Sequence, residues 1–183
     1  MTAIPSALLA TLLIAALMTF GDFVWARHVT AHRMVWGLLH GLALCLAIGL
    51  CLGLPRGRAL AGGLGGAAIG LGAALSFYAL APLLRYGAMF PAWMAFWIAL
   101  AFLQGRGLGD PKEPTRESLA RGLAAAVASG LAFYAISGIW TKPSPGGPDY
   151  PRHFFSWGFA FLPGFLALGV RRSHRTETAL TRG

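Results

Sequence analysis

Six long, nearly uncharged stretches run through this sequence, separated by short breaks rich in Arg, Pro or Gly. They extend from about Ala3 to Trp25, Met34 to Leu54, Leu60 to Leu84, Ala88 to Gln104, Leu119 to Thr141 and Phe154 to Val170. A helix rising ~1.5 Å per residue needs about 20 apolar residues to cross a hydrocarbon core ~30 Å thick. In lipid, an isolated segment satisfies its own peptide groups only as a helix. The expected fold class is therefore all-α: a polytopic transmembrane bundle of about six spans arranged as hairpins.

The composition agrees. The hydrophobic class makes up 56% of the 183 residues, charged residues make up 11%, and the mean hydropathy is +0.63. That is too apolar for an ordinary soluble domain. Six spans would consume about two-thirds of the chain, so residues 1–183 read as a single integral membrane domain with short connections. The first stretch lacks a basic leader and is long enough to span, so it reads as a retained helix.

The formal charge is +9. In a soluble protein this would raise nucleic-acid binding, but here the charges lie between apolar runs, and topology explains them better. With six spans, one side holds Arg56, Arg58, Arg106, Lys112, Arg116, Arg121, Arg171, Arg172, Arg175 and Arg182, and the other holds Arg27, Arg33, Arg85, Lys142 and Arg152. The positive-inside rule then places both termini in the cytoplasm. The Arg-over-Lys bias and Ala/Gly/Leu-rich spans suggest a bacterial inner membrane protein.

Small residues recur every four positions: Gly37, Gly41, Cys45, Gly49 and Gly53; Gly62, Gly66 and Gly70; Gly122, Ala126 and Gly130. Such seams let helices approach closely. They predict packing around a common centre, or a homo-oligomer or membrane-protein partner docked through the Gly-rich faces, with lipids as the general surroundings. Cys45 and Cys51 are six residues apart on one helix and are not expected to form a disulfide. A 56-residue offset superposes Leu75, Phe77, Tyr78 and Ala79 on Leu131, Phe133, Tyr134 and Ala135, which hints at an internal repeat of a two-helix unit.

All six tryptophans fall toward the outer half in this topology, and a one-sided interfacial belt is the plainest reading. The same side gathers Asp22, Arg27, His28, His32, Arg33, Asp149, Arg152 and His153, with His40 about two turns inside the second span. An ionisable residue within a span usually faces the bundle interior or a wet cavity. His40, Asp22, Trp36, Arg85, Tyr86, Trp93 and Trp97 are therefore the candidate ligand-binding residues. His28, His32, His40 and His153 are the candidate metal ligands. Asp22 could pair with a basic residue or orient an imidazole.

The chain has no GxSxG, HExxH, P-loop or CxxC, and its six acidic residues leave general acid–base chemistry short of candidates. The reading leans away from an enzyme. The leading expectation is a protein that binds a small apolar ligand or lipid, or sits in a membrane complex, through an aromatic, His-containing outer half. The alternatives are a haem- or metal-binding redox protein using His40 and a small-solute transporter.

Overall fold

The computed structural model describes residues 3–28, 32–136 and 149–169. Among these there are six α-helices and no strand: α1 (Ala3–His28), α2 (Arg33–Gly53), α3 (Ala59–Leu84), α4 (Met89–Phe102), α5 (Thr115–Ile136) and α6 (Tyr150–Gly169). Four contain segments long and apolar enough to cross a membrane: Ala7–Val24, Met34–Arg56, Ala59–Leu84 and Thr115–Ile136. Large apolar side chains such as Leu60, Leu64, Leu83, Val127 and Leu131 point outward from these helices. Several such helices with apolar outer faces fit an integral membrane protein.

Local chemistry explains each break. After α2, Pro55 sits in a 3₁₀ turn (Leu54–Arg56), and Gly57 takes a left-handed φ of 65°. That conformation disfavours a side chain. Arg56 Nη1 donates to the carbonyl of Leu52 at 2.6 Å, satisfying one of the helix's last acceptors. Between α3 and α4 the turn is Arg85–Ala88, opened by Arg85 at φ 50°. Pro91 lies in the first turn of α4, where a missing N–H costs least. Pro82 lies inside α3, near its end.

Two helices start earlier than hydropathy suggested. α5 begins at Thr115 instead of about Leu119, and α6 at Tyr150 instead of about Phe154. Their first turns are polar, so the apolar runs begin only after the helices do. Asp149 caps α6, its Oδ1 accepting the Arg152 N–H at 3.1 Å. α4 is the shortest helix and runs directly into a π-helical turn, Leu103–Gly107, in which Gln104 and Gly105 are buried.

Each helix packs on its chain neighbours, and α6 returns to α1, closing a ring. The contacts are unequal. α2 and α3 form one tight hairpin, while α1, α4, α5 and α6 form a second body through the α1–α6, α5–α6 and α4–α5 interfaces. The hairpin meets this four-helix body less extensively, at α1–α2 and α3–α4.

The hairpin is closed by its glycines. A Cβ at Gly49 would strike the Gly62 carbonyl, one at Gly66 the Cys45 carbonyl, and one at Gly70 the Gly41 carbonyl. Two of the three small-residue seams therefore face each other. The third does not join them: Gly122 lies against the Ile98 backbone of α4. The expected common centre is replaced by two separate close contacts, and the Gly-rich faces of α2 and α3 are occupied within the chain.

The core of the four-helix body is aromatic. Trp97 is fully buried against Phe96, Phe161 and Phe165, and its ring fills the space left by Gly164. Trp93 packs on Phe133 and Phe161, and Trp157 on Phe133 and Phe161. Trp93, Trp97 and Trp157 are thus core residues, which corrects the belt reading for half of the tryptophans. Trp25 and Trp140 lie outside the described side chains.

The residues matched at the 56-residue offset occupy different settings. Phe77 lines a cleft, whereas Phe133 lies between Trp93 and Trp157. Tyr78 is half-buried beside Gly37, whereas Tyr134 is 71% exposed.

Candidate functional site

His40 stands where the hairpin meets the four-helix body. The glycines at 37 and 41, on either side of it in α2, admit Tyr78 and the Gly70 carbonyl of α3, and Gly21 lets the imidazole lie close to α1. A Cβ at position 21 would come within 2.7 Å of Nδ1. His40 Nε2 is 3.2 Å from Met18 Sδ. A thioether only accepts, so the N–H is on Nε2 and donates to sulfur. This is a weak hydrogen bond across the joint.

Two apolar hollows share His40 and Leu44 as walls. The inner cleft, of about 230 Å³, is walled on the hairpin side by the small residues Gly37, Gly41, Gly70, Ala73 and Ala74 together with Cys45 and Phe77. Facing it are Met89, Ala92, Trp93, Phe96 and Phe161 from the four-helix body. The outer crevice, of about 270 Å³, runs between α1 and α2 and is lined by Leu17, Phe20, Val24, Trp36 and Leu39. The polar groups of the inner lining are the His40 imidazole, the Cys45 thiol and the indole of Trp93, whose buried Nε1–H has no hydrogen-bond partner among the described residues. Ligand sites commonly combine apolar walls with a few placed polar groups.

Asp22 lies one residue beyond Gly21 and within electrostatic reach of His40. Its Oδ2 accepts the Nδ1–H of His153 at 2.8 Å and the Nε1–H of Trp157 at 2.7 Å, joining α1 to α6. The carboxylate does orient an imidazole, that of His153. Phe23 packs on Tyr150 and His153 beside it.

The structure brings together only some of the candidates. Trp36 walls the outer crevice and Trp93 the inner cleft. Trp97 lies in the packed core, and Arg85 is exposed at the α3–α4 turn. The side chains of His28 and Tyr86 lie outside the described residues, as do most of the proline-rich connection after α5 and the arginines of the tail. His32 is exposed just before α2. Among the described residues no three His, Cys, Asp or Glu side chains converge on a point that could hold a metal. Cys45 and Cys51 are both free thiols.

A second polar cluster escaped the sequence reading. Arg121, buried in α5, forms an ion pair with Glu113 in the preceding turn. Its Nη1 also donates to Leu168 O at 3.3 Å and, at 3.4 Å, to Gln104 Oε1. Ser118 donates to the same Glu113 oxygen at 2.6 Å. The sequence signal was an arginine two turns inside a helix, with Glu117 at i−4 as the obvious partner. The actual partner precedes the helix, where spacing rules do not reach. Arg121 thereby caps the carbonyl end of α6 and ties it to α5 and to the π-helical turn that follows α4.

Comparison with family models, with curated proteins and with solved structures finds no match.

Proposed function

We propose that this protein is an integral membrane protein that holds a small apolar or amphiphilic molecule between its α2–α3 hairpin and its four-helix body. The observation that carries the reading is the inner cleft: an apolar hollow in which small residues and Phe77 of the hairpin face Met89, Trp93, Phe96 and Phe161 of the four-helix body, with His40 in its lining. Burying apolar surface there favours a ligand with little polar area, and a charged solute would meet no counter-charge in the lining. Binding needs no catalytic group, consistent with the lack of a catalytic motif.

The proposed topology has six spans with both termini on the arginine-rich, cytoplasmic side of a bacterial inner membrane. α6 is 20 residues long, enough to cross ~30 Å. α4 gains further length from the π-helical turn that continues it. Residues 1–183 then form one membrane-embedded unit surrounded by lipid. Single-cysteine labelling from either side of the membrane checks the topology: a connection after α4 that labels from outside would overturn it.

The binding reading is tested by purifying the protein in mild detergent and identifying co-extracted small molecules by mass spectrometry. An apolar or amphiphilic species should accompany the wild type. It should be depleted from Ala73→Phe, which fills the cleft, and from Met89→Trp at its rim, with both variants eluting as folded protein. Equal recovery from folded wild type and variants would refute the cleft as the binding place.

A further inference from the structure

The two bodies of the fold are each tightly knit. Within the hairpin, α2 and α3 meet backbone to backbone, so that a Cβ at Gly49, Gly62, Gly66 or Gly70 would strike a carbonyl of the facing helix. Within the four-helix body, Trp97, Phe161 and Leu168 are fully buried. Close-packed interiors of this kind transmit force and move as units. The seam between the bodies is different. The outer crevice runs along it between α1 and α2, and the inner cleft lies where α3 faces α4. Walls around unfilled space forfeit the dispersion contacts they would otherwise make, so the seam adheres less well than either body.

The fastenings of the seam are weak on one side and strained on the other. Between α1 and α2, His40 Nε2 donates to Met18 Sδ, a poor acceptor. Between α3 and α4 the chain passes through Arg85 at φ 50° and ψ −129°. Those angles are close to the first central position of a type II′ turn, about +60° and −120°, where glycine is the usual residue because a Cβ crowds the backbone. A residue with a side chain holds such a conformation only where its surroundings impose it. Arg85 itself is exposed, while Ala88, which ends the turn, is fully buried. Farther along, Gly65 of α3 lies against the side-chain tip of Leu103, just beyond α4. The α3 and α4 residues that line the inner cleft all lie in the chain between these two points.

We infer that the α2–α3 hairpin swings as one piece against the four-helix body, pivoting at the Arg85–Ala88 turn, and that the swing parts Gly65 from Leu103 and opens the inner cleft to lipid. Opening lets Arg85 relax to ordinary backbone angles, which offsets part of the packing lost. As an entry route for a ligand the swing rests on the binding reading, but the motion itself needs no occupant.

Cys45 reports the motion, because it lines the inner cleft and is only 2% exposed. The full-length protein in mild detergent is treated with N-ethylmaleimide, and alkylation of Cys45 is timed by mass spectrometry against that of the half-buried Cys51. Arg85→Gly removes the strain from the closed form and should slow Cys45 alkylation about tenfold. Arg85→Ala keeps the Cβ and should leave the rate unchanged, and Cys51 should react alike in all three proteins. Spin labels on a Cys45→Ala/Cys51→Ala background then separate a swing from a splitting of the hairpin. Val35 and Leu64, both exposed on the hairpin, should give one narrow distance; Leu64 with the exposed Val127 of α5 should give two, the minor one diminished by Arg85→Gly.

Equal Cys45 rates in the wild type and Arg85→Gly, or a faster rate in the glycine variant, would overturn the hinge. Equal slowing by glycine and alanine would assign the effect to the guanidinium and refute the argument from strain. Two distances within the hairpin would show α2 and α3 separating, and would refute the rigid swing. None of these outcomes alters the co-extraction result, by which the binding reading stands or fails separately.

Discussion

Removing Glu113 should cost far more than removing the whole ion pair. The side chains of Arg121 and Glu113 are only 8% and 11% exposed, so solvent screens their interaction little. Glu113→Ala leaves the guanidinium buried with only the neutral oxygens of Gln104 and Leu168 to accept from it. Breaking a buried pair from one side typically costs about 3–5 kcal/mol, and the low exposure places this variant within that range. Arg121→Met should cost less, about 2–3 kcal/mol, because Glu113 keeps the Ser118 hydroxyl and lies at the bundle's edge.

The double variant Glu113→Ala/Arg121→Met removes both charges. It should cost about 1–2 kcal/mol, most of it from the lost acceptance at Leu168 O and Gln104. The two single costs therefore exceed the double by about 5 kcal/mol. Reversible unfolding in mixed micelles with rising SDS fraction, followed by far-UV circular dichroism, measures all four corners of the cycle. Costs that add to within about 0.5 kcal/mol would show that the pair behaves as two independent, solvated groups, and would refute the argument from burial. A coupling that vanished in high salt would do the same.

Other interfaces make further predictions. Gly49→Leu should prevent the hairpin from closing, because no rotamer clears the Gly62 carbonyl; loss of folded protein on size-exclusion chromatography reads this out, and normal folding would contradict the packing. Trp97→Ala should destabilise the bundle by about 3–5 kcal/mol in the same micelle assay, whereas an interfacial tryptophan would cost much less. Asp22→Ala, which takes an acceptor from both His153 and Trp157, should cost about 2–3 kcal/mol and Asp22→Asn clearly less, since an amide oxygen still accepts; equal costs would argue against the hydrogen bonds. Met18→Leu should change stability by less than about 1 kcal/mol, because the hydrogen bond it removes ends on a thioether, a weak acceptor; a larger loss would refute that reading of the contact.

Much of the fold was legible before any contact was known. The turn at Arg85 and the stop at Pro55–Gly57 were visible as breaks between apolar runs, and the helices around them fall close to the expected limits. The starts of α5 and α6 were misplaced because hydropathy marks where a helix becomes apolar, while Asp149 and Thr115 lie in polar turns that are already helical or cap the helix. His40 was singled out as an ionisable residue within a span, whereas its setting between two hollows depends on Met18 and Gly21 of another helix. Arg121 was read as a topological charge because a charge near a helix end looks the same in sequence whether it faces water or a buried carboxylate.

The sequence by itself determined that this chain is helical and fits a membrane, because hydropathy and the need to satisfy peptide groups within a segment are local properties. It also determined that α2 and α3 could approach closely, since glycine spacing is local too. Only the tertiary structure decided which faces turn inward. In a soluble helix an apolar stripe marks the core, but a helix in lipid is apolar on both its buried and its outer face. Trp97 and Phe90 belong to the same apolar run, yet one is fully buried and the other is 64% exposed. Which of them packs against a neighbouring helix depends on where Gly164 leaves room, and that is fixed only when the helices meet.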